Sequence, residues 1–258
     1  MQAKAIPLQQ DDEDFYPSSD GKPMAESDLH LEEMVYLITA LKDRYQEVPD
    51  IYVAGNLLLY FIRGDRKACL APDVFVVKGV PKRKRKSFLL WKEERGPCFV
   101  IEVTSESTRA EDVEMKRDRY ERMGVEEYFL HDPLGEYLKP PLQGYRIEGG
   151  PGGRYRRIAP EPDGSLVSWT TGLRLRREGE HLRLVDLATG RPLPSFQEVQ
   201  GAYQKVQEAY QEVREAYQEV QEAYQEESAA RRVAEERARA AEEELARLRR
   251  ELESRGKT

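Results

Sequence analysis

Apolar positions along the chain change their period several times, and each change marks an element. Over residues 28–47, Leu31, Met34, Val35, Ile38, Leu41 and Tyr45 recur at helical spacing on one face, with Ser27 as a candidate N-cap. After Pro49 that period is lost. Residues 51–62 are apolar and partly β-branched or aromatic, predicting one buried strand, or two separated by a bend at Gly55 and Asn56. Residues 73–77 (Asp-Val-Phe-Val-Val) and 98–104 (Cys-Phe-Val-Ile-Glu-Val-Thr) predict the next strands, joined by a basic segment and Trp91. A helix is predicted over 109–123, opened by a capping box of Thr108 with Glu111 and stopped by Gly124. Residues 127–131 (Glu-Tyr-Phe-Leu-His) are then a strand, closed by the turn Asp132-Pro133-Leu134-Gly135. Helix, three or more strands, helix and strand make a small α/β (α+β) core. From 142 to 186, short alternating pieces around Gly149-Gly150, Asp163-Gly164 and Gly179 predict hairpins that add a second β layer.

Beyond residue 196 the pattern becomes a heptad. Tyr203, Tyr210, Tyr217 and Tyr224 recur every seven residues, and Val206, Val213 and Val220 each follow a Tyr by three. This is a coiled-coil seam with Tyr at a and Val at d. Glu227 and Arg231 interrupt the register, which resumes through Ala234, Ala238, Ala241, Leu245, Leu248 and Leu252. A long helix with a narrow apolar stripe favours self-association over a solvated single helix, and Tyr at a leaves dimer and trimer open. The expected organisation is a flexible polar lead-in over 1–27, a globular domain over 28–190, and a coiled-coil helix over 197–256.

Composition narrows the classes. No apolar run approaches the roughly 18 to 20 residues of a membrane span. The N-terminal segment lacks the apolar core of about 7 to 15 residues found in a secretory signal, so a cytoplasmic protein is expected. Cys69 and Cys98 are isolated and read as buried structural thiols, which excludes a zinc ribbon or a disulfide framework. The three histidines are far apart in sequence, so any metal is expected to be a hard cation on carboxylates. The net charge is −7; the 15 acidic and 11 basic residues of 197–258 contribute −4, leaving −3 for the rest. Nucleic-acid binding therefore needs a local patch, for which the run Lys82, Arg83, Lys84, Arg85, Lys86 is the candidate; a solvated loop is the other reading.

Two carboxylates interrupt apolar strands. Glu102 lies within Phe-Val-Ile-Glu-Val, where a run apolar on both faces predicts a central strand. A carboxylate there costs several kcal/mol unless paired or metal-bound; a structural ion pair or an exposed strand edge would also account for it. Asp73 opens the preceding strand after Pro72, where Asp is also a common turn residue. If those strands pair as a hairpin, both acids converge on one edge, as a Mg²⁺ site for phosphodiester chemistry requires. On the following helix, Val113, Lys116, Tyr120 and Met123 share a stripe, which places Lys116 toward the sheet; an Asp112–Lys116 surface pair is the plainer alternative.

These residues resemble a known family. Ala71-Pro72-Asp73, then Glu102-Val-Thr-Ser105-Glu-Ser107-Thr108, then Asp112, Lys116 and Tyr120, then Gly124-Val-Glu-Glu-Tyr-Phe-Leu look like the Uma-two restriction endonuclease family of the PD-(D/E)XK nuclease superfamily. The likeness covers about residues 28–180 and includes Gly144-Tyr145-Arg146 after Lys139-Pro140-Pro141. It implies a restriction-endonuclease-like mixed sheet flanked by helices, and Asp73 and Glu102 as ligands of Mg²⁺, with Mn²⁺ as the other candidate. The superfamily lysine two residues after the second acid is Thr104 here, which makes Lys116 the substitute. His30 and Glu33 on the first helix would approach the site or serve core or surface roles. The implied activity is metal-dependent endonucleolytic cleavage of DNA, with RNA also open, in a homo-oligomer held by the coiled coil. The rival expectation is a catalytically inactive nuclease-fold head on a coiled-coil adaptor.

Overall fold

The computed structural model describes residues 15–19, 27–106, 108–109, 111–150 and 152–255, with the side chains of 111 and 248–255 outside that set. Most of the lead-in of residues 1–27 therefore lies outside the described residues. Within it, Tyr16 is buried between Tyr60 and Trp91. The chain divides into two units after Phe196. No helix among the described residues is long and apolar enough to cross a membrane.

In the first unit, helix α1 (Asp28–Arg44) starts where Ser27 Oγ accepts the His30 N–H at 3.2 Å. Strands β1 (Ile51–Ala54) and β2 (Leu59–Tyr60) lie on either side of the predicted bend, where Asn56 takes a left-handed φ of 48°. Then come β3 (Cys69–Leu70), β4 (Val74–Lys78), β5 (Phe88–Leu89), the short α2 (Leu90–Glu93) and β6 (Phe99–Val103). A π-helical segment Glu111–Lys116 runs into α3 (Arg117–Met123), which ends at Gly124 with φ 78°. The chain continues through β7 (Glu127–His131), β8 (Leu142–Glu148), β9 (Arg154–Arg157), β10 (Leu166–Ser168), β11 (Leu173–Glu178) and β12 (His181–Asp186).

The main sheet has the order β1-β4-β6-β7-β8-β9, with β6 parallel to β7 and its other pairings antiparallel. All five residues of β6 are buried, as a run apolar on both faces predicts for a central strand. Alternation splits it between two cores. Phe99, Ile101 and Val103 pack with Met34, Leu37 and Leu41 of α1 and with leucines of the sheet β10-β11-β12. Val100 packs on the opposite face with Phe75, Tyr120 and Tyr128. The second β layer is thus β10–β12 alone; β8 and β9 extend the main sheet instead, because β8 pairs along the whole of β7. The helix predicted as regular over 109–123 is π-helical in its first half.

The second unit holds one helix, α4 (Phe196–Arg255), of 60 residues and so roughly 90 Å at ~1.5 Å per residue.

Candidate active site

The β4/β6 register carries the site. Val74 faces Ile101, so one step further along the antiparallel ladder Asp73 meets Glu102. The Asp73 N–H donates to Glu102 Oε2 at 3.3 Å, and the Val103 N–H donates to Asp73 Oδ2 at 2.7 Å. Gly55 permits this close packing: a Cβ there would lie 2.1 Å from the Asp73 carbonyl oxygen and 2.5 Å from Ile38 Cδ1.

Period two places Glu102 on the face of Val100, beneath the π segment and α3. Lys116 Nζ donates to Glu102 Oε2 at 3.0 Å and lies 2.9 Å from Asp112 Oδ1. The Tyr120 hydroxyl donates to Glu102 Oε1 at 2.6 Å. His30 Nε2 reaches Asp73 Oδ1 at 3.5 Å from α1. The Asp112–Lys116 pair is therefore part of a buried cluster rather than a solvated surface pair. Asp112 and Tyr120, motif positions given no role in the site from the sequence alone, are members of it.

Three carboxylates share one ammonium, and the protonation equilibria follow from that imbalance. Burial, with the charges of Asp73 and Asp112, pushes the Glu102 carboxyl well above its ordinary range despite Lys116. Asp112 is also raised, chiefly by burial. Burial acts on Asp73 in the same sense, but the His30 hydrogen bond, Lys116 and the Val103 N–H bring it below its usual value. Lys116 is buried too, yet Glu102, Asp112 and Asp73 outweigh desolvation and hold it protonated. The openings to solvent are narrow: the Asp73 side chain is 13% exposed and that of Lys116 11%. A cleft of about 460 Å³ is lined by His30 and Val103, both of which contact Asp73, and by Thr104, Ser105 and Tyr137 among others.

The donor set suits a hard divalent cation. Mg²⁺ takes one or two carboxylates and fills its remaining positions with water and phosphate oxygens. Among the described residues no group of three His, Cys, Asp or Glu is placed to hold a metal by itself. Glu102 Oε1, with one donor, keeps a lone pair, and an added cation would offset the surplus buried negative charge.

The other candidates are placed apart from the acids. Glu33 Oε1 is 2.6 Å from His181 Nδ1, and Glu33 Oε2 accepts the Leu182 N–H at 2.9 Å and lies 3.5 Å from His131 Nε2. This arrangement ties α1 to β12. In the basic run, Arg83 and Arg85 both bind Glu93, and Arg85 stacks over Tyr52 with its guanidinium 4.2 Å from the ring centroid. Lys82 Nζ donates to the Tyr45 and Gln46 carbonyls near the end of α1. Lys82, Lys84 and Lys86 are exposed. Lys82, Arg83, Lys84 and Arg85 line a separate, larger cleft of about 770 Å³ together with Ile38 and Tyr52.

Residues 8–176 match the Uma2 family, whose description is "Putative restriction endonuclease". The chain belongs to the Uma2 family. No curated protein matches it. A matching solved structure is described as "a putative nuclease belonging to DUF820 from Anabaena variabilis ATCC 29413"; it is 18% identical, with a TM-score of 0.41, and the match covers 58% of this chain and 76% of that one. Uma2 membership makes the head a nuclease-family domain, and nucleases of the restriction-endonuclease-like class generally use divalent metals. Glu102, Asp73, Lys116 and Asp112 all lie inside the matched segment of this Uma2 chain.

One buried group of this Uma2 domain gives a stability prediction. His131 Nε2 donates to the Glu180 carbonyl at 3.1 Å, while Nδ1 is buried with no hydrogen-bond partner. A second proton would be stranded there, and burial lowers the imidazole from 6.5 to about 4. Its folded value is depressed, so its contribution is complete above pH 6.5 and is lost as pH falls from there toward 4. Urea unfolding of the native chain should therefore lose about 3 kcal/mol more between pH 7 and 4 than His131→Gln, which keeps the donor to Glu180. Parallel stability curves for the two proteins would refute the assignment.

Proposed function

We propose that the head is a metal-dependent endonuclease acting on DNA, with Asp73 and Glu102 as ligands of Mg²⁺ and Lys116 beside the hydrolytic water. The observation that supports it is the convergence of these groups: the Asp73 N–H and Lys116 Nζ both donate to Glu102 Oε2, at 3.3 and 3.0 Å. A bound divalent ion supplies a water of lowered pKa and neutralises charge developing on the phosphate. Tyr120 and the Asp73 N–H fix the Glu102 carboxylate in one rotamer. Lys116, protonated at working pH and partly open to solvent, can orient a water or hold a phosphoryl oxygen. His30 sets the orientation of the Asp73 carboxylate. In the same reading Lys82, Arg83, Lys84, Arg85 and Lys86 attract backbone phosphates, and α4 joins copies of the chain in the cytoplasm.

The test is cleavage of supercoiled plasmid by the full chain with Mg²⁺, with Mn²⁺, and with chelator present, and of single-stranded DNA and RNA alongside. Nicking or linearisation that needs the metal and stops with chelator is expected. Cutting of RNA alone would reassign the substrate. No cutting of any nucleic acid would replace this reading by the inactive adaptor head.

A further inference from the structure

The seam of α4 is uncovered: Tyr217, Val220 and Tyr224 are 63%, 66% and 72% exposed. Its composition changes along its length. The first half carries Tyr and Val, the second carries Ala234, Ala238 and Ala241 and then Leu245, Leu248 and Leu252, and Glu227 and Arg231 sit between the halves. We propose that the seam is closed by the same helix of a second chain, running antiparallel about a two-fold axis beside Ala229. This dimer does not depend on what the head hydrolyses.

Antiparallel pairing sets each a position against a partner d position. About that axis Tyr224 faces the partner's Ala234, Val220 the partner's Ala238, and Tyr217 the partner's Ala241. These three layers on each side of the axis then combine a larger and a small side chain, so they share one interhelical separation; further out, Val213 meets the partner's Leu245. In the same register Glu227 faces the partner's Arg231, and the two polar interruptions neutralise each other twice. A parallel, in-register pair would stack Tyr on Tyr in the first half and Ala on Ala at 234, 238 and 241. It would also set Glu227 against Glu227 and Arg231 against Arg231 inside the seam, where like charges are costly. Parallel pairing gains rim contacts of Arg237 with the partner's Glu242 and of Glu244 with the partner's Arg249, against one of Arg214 with the partner's Glu242 in the antiparallel pair. Exposed rim pairs weigh little in either case. A consequence is that the two chains enter the rod at opposite ends, on the order of 100 Å apart at ~1.5 Å per residue.

Disulfide trapping in the full chain tests the proposal, with links mapped by peptide mass spectrometry so that native Cys69 and Cys98 are told apart. A chain carrying both Val220→Cys and Ala238→Cys is expected to form a covalent dimer linking position 220 to position 238. Val220→Cys alone is expected to give none, because its two copies would lie about 27 Å apart along the rod, beyond the ~7 Å Cα separation a disulfide spans. Sedimentation should give a dimer of the native chain. An efficient link between the two copies of position 220, failure of the double variant to cross-link, or a monomer or trimer in sedimentation would each overturn it.

Discussion

Glu102→Gln is expected to reduce metal-dependent cleavage about a thousandfold or more while leaving the head folded, a loss of roughly 4 kcal/mol in transition-state stabilisation. The amide has the shape of the carboxyl and can still accept the Tyr120 hydroxyl, although its NH2 then replaces the acceptor of the Asp73 N–H and Lys116 Nζ. What disappears is a negative oxygen for the metal. Stability should change little, since removing a carboxylate that burial and two neighbouring carboxylates disfavour is offset by the loss of the acceptor for the Asp73 N–H and Lys116. Asp73→Ala should be equally inactive, but it also removes the acceptor for the Val103 N–H and the partner of His30, so some loss of stability is expected with it. Plasmid cleavage rates with Mg²⁺, measured beside urea unfolding curves, separate the two effects. Cleavage retained within tenfold in both variants would remove Asp73 and Glu102 from the site.

The acids were legible in the sequence because each breaks a strong local pattern. Glu102 stands in a run apolar on both faces, and the 29-residue interval back to Asp73 accommodates two strands that pair directly. The extents of β7 and of the helix stop at Gly124 were legible for the same reason: local chemistry settles them. Long-range placement was not. Asp112 falls four residues before Lys116, the spacing of an ordinary surface pair, and only the tertiary fold buries both beside Glu102. The contact of His30 with Asp73 depends on how α1 crosses the sheet. The sheet β3-β2-β5 is built from strands of two residues each, too short to carry a period. The π-helical segment is equally silent, since its residues fit a regular helical stripe as well.

Lys116→Met should destabilise the head by roughly 3 kcal/mol at neutral pH, because it leaves three buried carboxylates with no ammonium among them. The sign of the pH dependence sharpens the measurement. Burial alone would lower Lys116, but the carboxylates raise it above its ordinary value of 10.5, so its stabilising contribution is complete below that pH and fades only as pH rises through the higher folded value. A comparison at pH 7 therefore reads the whole effect. Loss of activity in this variant would not by itself separate chemistry from folding. Adding Asp112→Asn removes one unpaired charge and should recover part of the stability, as expected when one network couples the two residues. If Lys116 acts on water or phosphate, the double variant stays inactive although its unfolding curve has moved back toward the native one. If Lys116 only neutralises its neighbours, cleavage returns in proportion to stability, and the role of hydrolytic assistant passes to another group.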